Sequence, residues 1–148
     1  MRVLVLITLI YVTPAFSQSV HYRVTMPNPA SHLFHIEIEI KDPGGESMDL
    51  GLPAWNATYV VRNFSQFLQG FDANVPVRRI DKQTWRMQPG TASLVSVRYT
   101  VYANQKSPFS SELNEQHAFF NGANLLLLWK EKRYLPVTLE ITAPPDWT

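Results

Sequence analysis

Hydrophobic and polar residues alternate along most of this chain with a period of two. Val20, Tyr22, Val24 and Met26 alternate with His21, Arg23 and Thr25, which predicts a half-buried strand. Pro27-Asn28-Pro29 ends it, since proline cannot donate to a strand ladder. The next run is the most regular. Phe34, Ile36, Ile38 and Ile40 share one face, and Leu33, His35, Glu37, Glu39 and Lys41 the other. Asp42-Pro43-Gly44-Gly45 then predicts a turn. Ser47 to Leu52 is a weaker third strand ending at Pro53, Thr84 to Met87 a short one, and Leu94 to Tyr102 a long one. Val137, Leu139 and Ile141 alternate with Thr138, Glu140 and Thr142 before Ala143-Pro144-Pro145, which reads as the start of a linker.

Two stretches depart from that period. Between Trp55 and Asp72, the residues Val60, Val61, Phe64, Phe67, Leu68 and Phe71 recur at spacings of three and four, predicting one or two helical turns that run into a strand. From Leu125 to Trp129 there is no alternation, which predicts a central strand buried on both faces. Gly122 just before it suits a tight turn or bulge. Gln105 to Gln116 reads as a polar loop with a short helix. The fold expected is all-β: an antiparallel β-sandwich or curved, saddle-like sheet of about seven strands with one short helix.

Length and composition narrow the function. A chain of 148 residues is one domain by default and buries about 70% of its unfolded surface. It has no cysteine, which removes disulfides, thiolate metal sites and cysteine nucleophiles. Its formal net charge is +1, so nothing favours nucleic acid or an anionic membrane. Arg2, the apolar run Val3 to Val12 and Ala15-Phe16-Ser17 predict a secretory signal peptide over residues 1–17, with cleavage after Ser17 or Ser19. The run is shorter than the about 20 residues a membrane span needs, so no transmembrane anchor is expected. The predicted mature domain is 18–148, secreted or periplasmic.

The chemistry is sparse. There is no His-Glu-x-x-His, no Gly-rich phosphate loop and no Gly-x-Ser-x-Gly, so no catalytic or metal-binding residue is assigned. His32 and His35, read on one strand, point to opposite faces and cannot share a metal through it. Glu115 and His117 are two apart, so an extended loop would turn both to one side, toward a cation or an amine. The alternative reading for His117 is a structural histidine bonded to backbone. Asn121 before Gly122 suits turn chemistry or ligand contact. Trp55 and Trp85 read as core residues, the alternative being a carbohydrate platform. Asn56-Ala57-Thr58 and Asn63-Phe64-Ser65 fit the glycosylation sequon, which matters only in a eukaryotic secretory host.

Five motifs in order carry a resemblance. They are Met26-Pro27-Asn28-Pro29-Ala30 with Leu33-Phe34-His35; Leu52-Pro53-Ala54-Trp55 with Tyr59 and Arg62-Asn63-Phe64; Asp81-Lys82-Gln83-Thr84-Trp85; Val97-Arg98-Tyr99 with Val101-Tyr102-Ala103-Asn104; and His117-Ala118-Phe119-Phe120-Asn121-Gly122-Ala123. Together they resemble the N-terminal domain of the glycyl aminopeptidase family of zinc metallopeptidases over nearly all of residues 20–148. One motif departs: many members carry Trp-x-Pro-Gly-Ser-Tyr where this chain has Trp55-Asn56-Ala57-Thr58-Tyr59.

The resemblance implies a β-rich, non-catalytic domain that covers a thermolysin-like catalytic domain, often with a PDZ domain beyond. Zinc is expected in that catalytic domain, and no zinc ligand of the family maps onto this chain. The implied substrate is a peptide with a small N-terminal residue. On this reading the loop Glu115 to Asn121, with His117 between, faces the catalytic cleft. Glu115 would meet a substrate ammonium and Asn121 a substrate carbonyl. The alternative is a free-standing secreted β-sandwich that binds a protein or glycan partner.

Overall fold

The computed structural model describes residues 18–54 and 63–147. The predicted signal peptide, Trp55, Tyr59 and the Asn56 sequon lie outside the described residues. Among the described residues, eleven strands form three sheets. β1 (Ser19–Thr25), β2 (Leu33–Lys41), β4 (Leu68–Ala73), β7 (Leu94–Tyr102) and β11 (Val137–Thr142) make a five-stranded sheet in the order β11-β1-β2-β7-β4. β3 (Met48–Gly51), β5 (Val77–Arg79), β6 (Thr84–Met87) and β10 (Leu128–Trp129) make a second, ordered β10-β3-β6-β5. β8 (Glu112–Leu113) and β9 (Ala118–Phe119) form a small hairpin.

The strands that alternate cleanly appear where the pattern places them, within a residue or two at their ends. On β1, β2 and β7 the inward side chains form rows in register across the sheet: Val20, Ile40 and Val95; Tyr22, Ile38 and Val97; Val24, Ile36 and Tyr99. All are buried, and they pack with Met48, Leu50, Trp85 and Met87 of the second sheet into one core. This is the sandwich that half-buried strands demand, because each sheet has one apolar face to cover. Trp85 is buried and stacks on Phe71 with ring centroids 5.0 Å apart.

The outer face of the large sheet is polar and ordered by charge. Glu140, Arg23, Glu37 and Arg98 occupy one row across four strands. Glu37 accepts from Arg23 Nη1 at 2.7 Å through one oxygen and from Arg98 Nε and Nη2 at 2.9 and 2.7 Å through the other. Opposite charges on directly facing strand positions stabilise the pairing they sit on. Arg98, and then Arg23, hold the Glu37 carboxyl below the usual range.

Five expectations change. First, the large sheet is mixed: β11 runs parallel to β1. Second, β8 and β9 are strands where the sequence read as loop, and Val77–Arg79 is a strand in a stretch to which no element was assigned. Third, Leu125 to Trp129 is not a central strand. Leu125 closes a one-turn helix, α1 (Gly122–Leu125), and only Leu128 and Trp129 pair, at the edge of the second sheet. Leu125, Leu127 and Trp129 are buried while Leu126 and Leu128 are half-buried, so the segment does alternate. Four leucines in succession hid that alternation. Fourth, Gly122 opens this helix and takes no left-handed angle. Fifth, His32 precedes the strand. It caps a 3₁₀ turn (Pro29–Ser31) with φ 58°, and its Nδ1 meets the Leu113 carbonyl. The helical spacing before Asp72 resolves, over its described part, into a 3₁₀ turn (Phe64–Phe67) that feeds β4.

Candidate functional site

The hairpin β8–β9 presents the predicted loop. Asn114 builds its turn. The Asn114 Oδ1 accepts from the backbone N–H groups of Gln116 (2.8 Å) and His117 (3.0 Å), and its own N–H donates to the His117 carbonyl (3.0 Å). An Asn side chain that replaces backbone partners in this way fixes a tight turn. Glu115 and Gln116 therefore stand at the tip, exposed. Phe120 anchors the returning strand by packing edge-on against Phe34, with centroids 5.4 Å apart.

The three predicted residues do not act as one group. A tight turn cancels the two-residue alternation that would have put Glu115 and His117 on one side. The His117 imidazole instead lies 3.5 Å from Glu112 Oε1. Asn114 Nδ2 lies between the two, donating to Glu112 Oε1 at 3.1 Å and 3.4 Å from His117 Nε2. The histidine side chain is therefore not bonded to backbone as the alternative reading had it: its ring faces the Glu112 carboxylate and the Asn114 amide, and its backbone N–H donates to the Asn114 side chain. Glu115 uses its carbonyl to accept from the Trp147 indole N–H at 3.1 Å, and its side chain is exposed. Asn121 is the N-cap of α1, its Oδ1 accepting from the Ala123 N–H at 3.0 Å. That is turn chemistry, and it leaves the exposed Asn121 Nδ2 as a donor.

Beside the hairpin is a cavity of about 90 Å³ lined by Phe64, Phe67, Tyr102, Gln105, Ser111 and Asn124, among others. It gathers parts of separate motifs, Asn63-Phe64 and Val101-Tyr102, next to Asn124 at the end of the Asn-Gly stretch. None of its lining residues is charged. Asn124 Nδ2 donates to the Phe109 carbonyl at 3.0 Å, which fixes the amide so that Oδ1 points the other way. Asn124 Oδ1 and Ser111 Oγ are buried with no hydrogen-bond partner among the described residues. Such atoms cost free energy; among the described residues the Trp129 indole N–H is likewise buried without a partner, away from this cavity. The cavity suits a neutral, hydrogen-bonding group and offers no acid or base. Sequence reasoning missed Ser111 and Asn124. The available signal was Asn124 itself, a lone amide immediately before four leucines.

A zinc ion does not fit the described residues. No three His, Cys, Asp or Glu side chains among them converge in a way that could hold a metal, and His32 and His35 serve different elements. Among the described residues no helix is long and apolar enough to cross a membrane.

The family model for the Peptidase M61 N-terminal domain matches residues 21–148. A solved structure of an aminopeptidase N family protein from Idiomarina loihiensis superposes with a TM-score of 0.78 at 31% identity. That match covers 85% of this chain and 22% of the relative, so the chain spans under a quarter of the relative's length. An M1 zinc metallopeptidase from Deinococcus radiodurans, in a variant bound to a Tyr-Ser-Ala substrate, matches at 14% identity with a TM-score of 0.43, covering 86% of this chain and 32% of its own. No curated protein sequence matches.

Proposed function

The chain belongs to the Peptidase M61 N-terminal domain family, and from that premise we propose that it is the non-catalytic N-terminal domain of a secreted zinc aminopeptidase. It packs on a thermolysin-like catalytic domain, which supplies the zinc, and shapes the entrance for a peptide with a small N-terminal residue. Secretion rests on Arg2, the apolar run Val3 to Val12 and Ala15-Phe16-Ser17.

The observation that carries the role in substrate access is the β8–β9 turn. Asn114 locks its backbone while the Glu115 carboxylate stays exposed at the tip. A fixed, solvated carboxylate attracts an ammonium group without a large desolvation cost. Asn121 Nδ2 is left to donate to a substrate carbonyl, its Oδ1 being spent on the cap. His117 lies 3.5 Å from Glu112, away from the tip carboxylate.

The second reading, a free-standing binding module for a protein or glycan, is favoured by the neutral cavity with its two unpartnered oxygens. Kinetics of the native-length product on a glycyl or alanyl anilide separate the readings. Glu115→Ala should raise KM at least threefold with a smaller change in kcat, while Gln116→Ala leaves both unchanged. Equal kcat/KM for wild type and Glu115→Ala would reduce the loop to a structural role.

A further inference from the structure

The inner face of the large sheet is covered over β1, β2 and β7 and open on β11. Val137, Leu139 and Ile141 stand in register with Val20, Tyr22 and Val24, and therefore on the core side of the sheet. Their neighbours across β1, β2 and β7 are at most 6% exposed, whereas these three are 57%, 44% and 50% exposed. Three rows of the core thus run off the end of the second layer into solvent. The other side of β11 is different. Glu140 points outward and engages Arg23 at 3.4 Å and His21 at 3.3 Å.

We propose that Val137, Leu139 and Ile141 form the docking surface for the catalytic domain. This rests on the reading given under Proposed function. Contiguous exposed aliphatic residues on a strand mark an interaction surface. Their chemistry selects an apolar face of a folded domain, because this side of β11 offers no charge to a nucleic acid or an anionic lipid. Two facts favour the catalytic domain as occupant. In the Idiomarina relative the matched region is 22% of the chain, so much more polypeptide is there to cover such a face. The family is defined as an N-terminal domain, and β11 is its last strand here, the one closest in sequence to whatever follows in longer members.

Hydroxyl-radical footprinting of the native-length product tests this, with Leu94 as internal reference, since Leu94 and Leu139 are the same residue type and 38% and 44% exposed in this domain. The expected result is oxidation of Leu139 at least fivefold slower than of Leu94. Leu139→Lys combined with Ile141→Lys, two solvent-exposed positions, should then restore protease access to the segment after Thr142. Equal oxidation of the two leucines in a product with zinc-dependent aminopeptidase activity overturns the docking surface and leaves the family reading intact. A product without that activity after zinc loading overturns the reading beneath it. Concentration-dependent dimerisation abolished by the two lysines would assign the surface to a second copy and overturn the proposal.

Discussion

The Tyr99 hydroxyl donates to the Leu125 carbonyl at 2.7 Å, and the same oxygen accepts from the Leu127 N–H at 3.1 Å. Tyr22, one strand row away, donates to the Leu127 carbonyl at 2.7 Å. Two buried tyrosines on the large sheet thus take over backbone groups that would otherwise need a strand partner. This is why Leu125 to Leu127 can lie in the core without being a strand, and it ties the α1–β10 connection to the main sheet.

Removing one of these hydroxyls leaves buried backbone groups unpaired. Tyr99→Phe strands both the Leu125 carbonyl and the Leu127 N–H. The expected loss is about 1–3 kcal/mol, the cost of an unsatisfied buried polar group. Urea unfolding of the 148-residue chain measures it, and an unchanged midpoint would show that water replaces the hydroxyl.

The same tyrosines set an alkaline limit. Burial pushes the Tyr22 hydroxyl up from 10.0 to about 12, and raises that of Tyr99 as well. The unfolded chain ionises near pH 10 while the folded chain holds its protons. The unfolded state then binds fewer protons, so stability falls as pH rises. The contribution of these tyrosines is fully present below pH 10 and is lost between pH 10 and about 12 for Tyr22. Thermal melts across that range, read beside Tyr22→Phe, check it: the variant should show a shallower decline.

Acid acts on a different set of groups. The hydrogen bonds from Arg86, 2.8 Å from each oxygen of Asp49, hold that carboxyl below the usual range, as Arg98 and Arg23 do for Glu37. A carboxyl whose folded pKa is depressed stabilises the fold above its unfolded value and loses that contribution as pH falls through the folded one. Melting temperature should therefore drop as pH falls below about 4. Asp49→Asn combined with Glu37→Gln should flatten that drop while lowering stability at neutral pH.

Leu127 is fully buried although it belongs to no named element. Leu127→Ala is expected to cost about 2–5 kcal/mol, as for other leucines truncated in a packed core. Leu128→Ala, at a half-buried edge position, should cost under half as much. Parallel urea titrations of the two variants compare them, and equal losses would contradict the alternation seen here.

The sequence revealed the fold where one rule acted alone. The isoleucines of β2 and the valines of β7 sit on half-buried strands, so period and burial agree, and the inward rows were readable in advance. Legibility failed where a tertiary partner overrode the local pattern. Leu125 to Leu127 look like a central strand because nothing in them announces that Tyr22 and Tyr99 will hold their backbone. The parallel pairing of β1 with β11 joins Val20 to Val137, a relation no local pattern encodes. In the candidate site, turn chemistry at Asn121 was legible from Asn-Gly. The partnership of His117 with Glu112 was not, because it depends on a turn made by Asn114 that reverses the chain.

Under the proposed function this chain is the N-terminal domain of a zinc aminopeptidase. The most direct measurement is the intact mass of the native product, together with its aminopeptidase activity before and after chelation and zinc restoration. The expected product is several times the 17.0 kDa of these 148 residues, with activity lost to the chelator and recovered with zinc. A native product whose mass matches residues 18–148 and that cleaves no aminoacyl anilide in either state would contradict it.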